Sequence, residues 1–566
     1  MDRSKEGLSR ETHRSGRVWL VMAVIFAAMG GTLAFLWSRN SPPAPGVTAQ
    51  TDPVPAPETE PVKPSIPAPA PSGFPPMVQD WPTPAFVLAI TGQQHGYIEP
   101  CGCSPRQSGG LARRADLLRQ LRKDKNWPVL TLETGGTLDD SRVTRRQSVL
   151  KFDMILEALN SMEYRVLGLG TEELKLGVKR LWEIHSERDV QDGFDLPFVG
   201  GNVVLLSSPD LGTPLAYRVL DIGGKVVDGK TVGGKKVAVT SMFGNEYKKQ
   251  FALISEDELK ITDPVQALPA VLAAMQAEKP DVLVLLSYDT KEGSRDLVAK
   301  FPEFDVVVSA GGADDPGDDY ETIGKTLFFV SGMKGKHVNL IGFYPGEKVA
   351  VRFERVELDQ GRFNRSPKMR ELMAQYQELL KEEWLDPTSE VRLTAQDHPS
   401  GLQFMGAKSC QECHASAYKV WENSEHVKAT ANLLEGRPEE TGEWIDRTYD
   451  PECLCCHATG WEPTHAYPYK DGFIDAATTP HLIGNQCENC HGPASEHVKL
   501  ETDWKKSGGK LTDELTASRT SIRVTKAQAE KKVCLKCHDF DNSPKFDFNE
   551  YWPQIEHPTP AKNVER

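Results

Sequence analysis

Short, uniformly apolar runs alternate with longer amphipathic ones from about residue 85 to 360. FVLAI (86–90), PVLTLET (128–134), KVAVTSM (236–242), DVLVLLS (281–287) and FDVVVSA (304–310) are rich in β-branched and leucine residues. Runs of this length and character predict strands buried on both faces. LARRADLLRQLRK (111–123), FDMILEALNSM (152–162) and PVQALPAVLAAMQAEK (264–279) space their apolar residues for one helix face. FFVSG, HVNLIGFYP and KVAVRFERVEL then predict β-rich closing strands. The alternation indicates an α/β domain over 85–362. In MRELMAQYQELLKEEW, residues Met369, Leu372, Met373, Tyr376 and Leu379 recur at helical spacing. They predict a helix in a connector, 363–404, that docks the domains on either side.

Two segments upstream have a different texture. Val18 to Trp37 is a run of twenty residues without a charge, preceded by Arg3, Lys5, Arg10, Arg14 and Arg17. At 1.5 Å per residue such a helix spans roughly 30 Å, the thickness of a hydrocarbon core. The basic flank predicts a cytoplasmic tail (1–17), an anchor (18–37) and a bulk outside the inner membrane. A cleaved signal peptide would have a shorter apolar region and a small-x-small site close behind it. Residues 42–76 hold thirteen prolines in thirty-five positions. A linker over 38–84 is therefore expected to stay extended, with a reach on the order of 100 Å.

Composition narrows the function. Acidic residues outnumber basic ones, 80 to 66, for a formal charge of −14, which argues against a nucleic-acid binder. Of eleven cysteines, two stand at 101 and 103 and nine fall between 410 and 537. Eight of the nine belong to four Cys-x-x-Cys-His motifs: Cys410/Cys413/His414, Cys453/Cys456/His457, Cys487/Cys490/His491 and Cys534/Cys537/His538. Two thiols at this spacing add across the vinyl groups of a haem, and the adjacent histidine becomes an axial ligand of its iron. Zinc sites and disulfide frameworks give no reason for a histidine after every pair. Four covalent c-type haems are expected, with electron transfer as their business and the bacterial periplasm as their compartment. The ninth cysteine, Cys455, is spare and reads as packing or, less simply, as a reactive thiol.

Each iron has a second axial position. Five more histidines lie in this region: His426, His465, His481, His497 and His557. GAKSCQECH, WENSEH, CCHATGW and NQCENCHGPASEH resemble the tetrahaem cytochrome family of the hydroxylamine-oxidation electron carrier. The resemblance covers about 405–560 and implies a mainly α tetrahaem cytochrome c domain, 405–566. It implies that His426, His497 and His557 are distal ligands, and that three irons carry two histidines while one is left open. By count the open position falls to His457. His465 and His481 either close it or are surface residues.

The order TGQQHGYIEPC, GGLARRADLLRQL, VLTLETGG, VLGLGTEEL, PFVGGNVV, SYDTKEGSRDLVAKF resembles the 5′-nucleotidase branch of the calcineurin-like metallophosphoesterases. That implies a two-sheet α/β sandwich flanked by helices. The site residues depart from the family. Gln93, Gln94, His95, Gly96 stand for Asp-x-His-Gly, and Glu133, Thr134, Gly135, Gly136 for Asp-x-Gly-Asp. Gly170, Thr171, Glu172, Glu173 stand for Gly-Asn-His-Glu, Ser287-Tyr288 for Ser-His, and Ala310 to Ala313 for Gly-His-x-His. Only His95 and Glu133 remain as candidate ligands, too few to clamp two metal ions. No second metal and no phosphoesterase activity are expected.

HGYIEPCGCSPRQSGGLARR also resembles a nucleotidase-like family some of whose members carry selenocysteine at this Cys-x-Cys. That implies redox chemistry at Cys101 and Cys103; a soft-metal site and a structural disulfide are the alternatives. The expected whole is multidomain: a transmembrane helix, a metallophosphoesterase-like sandwich and a tetrahaem domain. Its expected partners are redox proteins or quinone-linked electron donors, and a small molecule in the sandwich. The rival readings are a multihaem oxidoreductase acting on a small nitrogen or sulfur compound at an open iron, and a metal-dependent hydrolase fused to a cytochrome.

Overall fold

Strand β1 (Phe86–Thr91) lies between two neighbours, and every one of its residues is buried. Alternate side chains go to opposite faces. Phe86, Leu88 and Ile90 enter one apolar cluster, and Val87 and Ala89 another. The same split recurs in β2 (Val129–Glu133) and β3 (Tyr164–Gly168). With β4 (Phe198–Val199) they form the parallel part of a six-stranded sheet. Two late strands, designated β11 (His337–Phe343) and β12 (Val351–Glu357), add to it antiparallel, giving the order β12-β11-β1-β2-β3-β4.

A second six-stranded sheet holds β5 (Arg218–Ile222), β6 (Lys235–Phe243), β7 (Val282–Tyr288), β8 (Val306–Ser309), β9 (Glu321–Ile323) and β10 (Thr326–Val330). Its order is β9-β10-β8-β7-β6-β5. Leu220, Val237, Val239, Val284, Leu286 and Val308 face Leu88, Ile90, Leu132 and Val166 across the gap between the sheets. The outer face of the first sheet is covered by α1 (Leu111–Arg119), α2 (Arg145–Ser161) and α5 (Pro367–Leu385). The outer face of the second is covered by α3 (Pro264–Ala277) and α4 (Lys291–Lys300). This is the expected sandwich, in four layers.

The computed structural model describes residues 75–557, apart from 101–106, 140–143, 188–195, 209–210, 228–229, 233, 319, 347–349, 392–394 and 437–443. The expected anchor, most of the linker, and Cys101 and Cys103 lie outside the described residues. Among those described, no helix is long and apolar enough to cross a membrane. By its contacts the chain divides into 1–65 and 66–566, and every described residue belongs to the second unit.

The connector helix is shifted by one position from the expected stripe. Met369, Leu372, Met373 and Tyr376 are buried as expected, but Leu379 is 44% exposed and Leu380 takes its place. Helix α5 packs on a concave pair, α1 and α2, and a stripe at period 3.6 drifts off a strict three-four spacing. Its last turn leaves the sandwich: Trp384 stacks on Trp461, with ring centres 5.7 Å apart. Trp461 sits with Phe404, Leu433, Leu454, Cys455, Phe473 and Leu482 in the small apolar core of the C-terminal region. Cys455 is fully buried there, which is a packing position. That region has short helices, among them α6 (Ala415–Glu422), α7 (Pro451–His457), α8 (Cys487–His491), α9 (Ser495–Lys506) and α10 (Asp513–Ser521).

Candidate functional site

Each Cys-x-x-Cys-His motif occupies a single helical turn. The second and third lie within α7 and α8. In the first and fourth, the histidine N–H donates to the carbonyl of the first cysteine, 2.9 Å in both. Such a turn brings residues i, i+3 and i+4 to one side, so both thiols and the imidazole of a motif face the same way. The imidazoles are also oriented. The Nδ1 atoms of His457 and His491 lie 2.7 and 2.8 Å from the carbonyl oxygens of Ala429 and Ile522. Those of His538 and His497 lie 3.0 and 3.3 Å from Ser543 and Ser518 hydroxyls. An Nδ1–H held this way leaves Nε2 as the ligand atom, the usual arrangement for a metal-binding histidine.

Long-range packing then brings the three histidines expected as distal ligands to the motifs. His414 faces His497 with ring centres 6.3 Å apart, His426 faces His538 at 6.2 Å, and His491 faces His557 at 5.9 Å. Two imidazoles on opposite sides of one metal, each nitrogen about 2 Å from it, stand with ring centres about 6 Å apart. The residues therefore fit bis-histidine haem. The first, third and fourth motifs receive His497, His557 and His426, respectively. Burial pushes the pKa values of His414, His426, His491 and His497 down, and that of His538 to about 4. The neutral, ligating form is the favoured one. His465 and His481 are both exposed.

In the sandwich, the loops that resemble metal loops also meet, but they are filled. Gln93 and His95 hold positive φ angles of 52° and 47°, sparsely allowed for such residues. Their N–H groups donate to Gly135 and Gly136 carbonyls, both at 2.9 Å. A Cβ on Gly136 would lie 2.4 Å from Gln93 Oε1, so the glutamine occupies the space into which a carboxylate at 136 would project. Glu173 accepts hydrogen bonds from Gly136 N (3.1 Å), Thr137 N (2.7 Å), the Thr137 hydroxyl and Gly170 N (2.7 Å). Its oxygens are spent on the loops.

Tyr288 donates to Glu172 at 2.7 Å. Burial, with Glu173 nearby, raises the Glu172 pKa to about 7. Glu133 accepts from the Thr91 hydroxyl at 2.6 Å and pairs with Arg114 at 3.4 Å; burial raises its pKa to about 7. Burial lowers that of His95. Among the described residues, no three His, Cys, Asp or Glu side chains converge to hold an ion, and the pair of metals implied by the nucleotidase resemblance does not fit here.

Residues 409–492 match the family model of cytochrome c554 and c-prime. Cytochrome c-554 of Nitrosomonas europaea is 26% identical over 168 residues, covering 27% of this chain and 67% of that protein. The multiheme cytochrome MtrA of Shewanella baltica is 29% identical over 132 residues, covering 23% and 33%. The chain thus spans about a third of that relative's length. Among solved structures, the 5′-nucleotidase precursor of Thermus thermophilus aligns at 16% identity, TM-score 0.43, over 57% of this chain and 62% of the other. The calcineurin-like phosphoesterase YfkN of Bacillus subtilis aligns at 17%, TM-score 0.40, over 52% and 97%.

Within the cytochrome c554-like region, several residues position the motifs without being visible as ligands. Glu488 lies inside the third motif and is 3% exposed. It accepts from Met405 N, Gly406 N and Ala494 N at 2.7–3.0 Å, tying the segment before the first motif to the third. Gln486 donates to the His481 and Ile483 carbonyls at 2.9 and 2.7 Å. Asp450 caps α7, accepting from Glu452 N at 3.0 Å. Its acid side chain in an Asp-Pro-x-Cys context is a helix-start signal that points to the cap but not to its distant partners.

Those partners belong to the sandwich. Gln147 and Gln377 donate to the two Asp450 oxygens at 3.1 and 2.8 Å, and Lys151 pairs with Glu452. Arg447 donates to Glu99 at 2.6 Å. Gln107 donates to the carbonyls of Asp541 and Asn542, both at 3.0 Å, and Lys334 and Lys336 pair with the Asp541 carboxylate. The haem-motif region and the sandwich are thus joined by buried polar contacts, concentrated beside the second and fourth motifs.

Proposed function

We propose that this protein is a membrane-anchored, periplasmic electron carrier with four c-type haems, fused to a non-hydrolytic nucleotidase-like domain that contributes a Cys101/Cys103 redox pair. The observation that supports it best is the set of three imidazole pairs about 6 Å apart. Haem bound at the four motifs supplies reversible one-electron chemistry. The chain's own part is to hold it. Cys410, Cys413, Cys453, Cys456, Cys487, Cys490, Cys534 and Cys537 fix it covalently. His414, His457, His491 and His538 ligate from one side, and His497, His557 and His426 from the other at three irons. Two imidazoles exclude a substrate from an iron, so three of four positions are built for transfer.

Glu99 and Gln107 stand on either side of the Cys101/Cys103 segment in the sequence. Glu99 is tied to Arg447, just ahead of the second motif, and Gln107 to residues 541–542, just behind the fourth. A dithiol there that closes to a disulfide releases two electrons and two protons. The apolar run 18–37 and its basic flank support the anchor, and covalent haem attachment supports the periplasm.

The test is the mass and the spectrum of the protein purified from cells competent in cytochrome c maturation. Four haem masses should remain attached under denaturing extraction. Electron paramagnetic resonance should show at least three low-spin ferric centres. A mass corresponding to three haems or fewer, or a majority of high-spin iron, refutes the assignment.

A further inference from the structure

The fourth motif lies in a basic stretch of an acidic chain. Residues 523–545 hold six basic residues, Arg523, Lys526, Lys531, Lys532, Lys536 and Lys545, against three acidic ones. One of those three, Asp541, is already paired with Lys334 and Lys336. All six basic side chains are exposed. This excess of positive charge stands on a protein with a net charge of −14. It surrounds exposed apolar residues: Leu535 is 49% exposed, Phe540 65% and Tyr551 39%.

These apolar residues are next to an iron site. Leu535 and Lys536 are the two residues between Cys534 and Cys537, and Phe540 follows His538 by two positions. Phe546 stacks on the His538 ring at 4.6 Å, and Tyr551 packs against both rings, 6.0 Å from His538 and 5.2 Å from Phe546. An apolar centre lets a partner approach closely, and a lysine rim steers it there and fixes orientation. His538 faces His426 across 6.2 Å, so an iron held between them would have both imidazoles in place, and small substrates would have no business at this surface.

We infer that the surface formed by 523–545 and Tyr551 docks an acidic one-electron carrier protein, and that the fourth haem site is the port through which this chain exchanges electrons with it. The inference rests on the electron-carrier reading above and names its partner class. Charge complementarity selects the class: a basic rim attracts a protein whose own redox centre is ringed by carboxylates, and repels a cationic one.

The probe is flavodoxin, an acidic one-electron carrier, used with the full haem-loaded protein. Oxidised flavodoxin should bind with a Kd that weakens at least tenfold between 20 and 200 mM salt, on the order expected for several screened charges. Carbodiimide cross-links should map by mass spectrometry to Lys531, Lys532 or Lys536. Lys531→Glu with Lys532→Glu should weaken binding roughly tenfold at low salt, and Leu535→Ser should weaken it with little change in salt dependence. Lys248→Glu with Lys249→Glu, on the sandwich, should leave it unchanged. Haem content and spectrum check that each variant is folded.

Absence of saturable binding, cross-links confined to the sandwich, or equal binding by the Lys531/Lys532 variant would overturn the inference. So would lysine-dependent binding to anionic phospholipid vesicles without binding to flavodoxin. If dithionite fails to reduce the haems at all, the electron-carrier reading fails instead, and the two failures are distinct.

Discussion

Glu173 is the residue on which the loops after β2 and β3 close, and its removal is a quantitative test of that view. Its carboxylate takes three backbone N–H groups, those of Gly136, Thr137 and Gly170, and one hydroxyl. The residue is fully buried. In Glu173→Ala the hydroxyl can turn to another acceptor, but the three N–H groups cannot. Each buried donor left unsatisfied costs about 1–3 kcal/mol. Entry of water into the space vacated offsets part of that, leaving a local cost of about 3–4 kcal/mol. Since 1.4 kcal/mol is a factor of ten, amide exchange at Gly136, Thr137 and Gly170 should quicken by roughly 10²–10³. Glu173→Gln keeps one acceptor oxygen and should fall between. Glu172→Gln, which still accepts from Tyr288, should change those amides by less than about tenfold. Hydrogen exchange read by mass spectrometry on the haem-loaded protein measures all three. If Glu173→Ala leaves the amides protected, or if the unaltered protein binds a divalent ion that Glu173→Ala abolishes, then the carboxylate is a ligand and not a clasp, and the reasoning fails.

Three further outcomes are expected. Carbon monoxide should bind no more than one reduced iron in four in the unaltered protein, because three irons lie between paired imidazoles; His497→Ala, His426→Ala and His557→Ala should each open one more, counted from the Soret difference spectrum. Phosphate release from nucleotides or phosphate esters should stay at background with magnesium, manganese or zinc, and release abolished by His95→Ala would show a working hydrolase. The buried carboxyls Glu172 and Glu133 should contribute stability that is lost as pH rises through about 5 to 7, opposed by the buried histidines, whose lowered pKa values act in the other direction. Glu172 and Glu133 have folded pKa values near 7, above the ordinary carboxyl value of 4.5. The folded state therefore binds protons that the unfolded state has already released, and that advantage is lost as pH climbs to the folded pKa. Glu172→Gln should remove the Glu172 part of this pH dependence, so that the urea midpoint falls less, or rises more, between pH 5 and 7, and an unchanged slope would refute the assignment.

What the sequence determined by itself is what local geometry encodes. A Cys-x-x-Cys-His motif fits one helical turn wherever it occurs, so eight thiols and four proximal imidazoles were legible from spacing alone. Short, uniformly apolar runs likewise predicted central strands, since a strand buried on both faces is apolar at successive positions; their division into two sheets was legible only by resemblance. The three distal histidines were legible only by resemblance, and their assignment was not legible at all. His497 faces His414, His426 faces His538 and His557 faces His491. Each of those pairings spans tens of residues or more, and nothing in a neighbouring residue records which ring will face which.

The same holds for Glu173, whose clasp depends on two loops of the sandwich arriving from different strands, and for Asp450, whose carboxylate is shared by two glutamines from the sandwich and its connector. Leu380 replaces Leu379 on the buried stripe because the 3.6 period carries position 380, and not 379, back to the face that α5 turns to the sandwich. Tertiary packing chooses among contacts that the local pattern permits equally, because burial and hydrogen-bond satisfaction are settled only when distant segments meet.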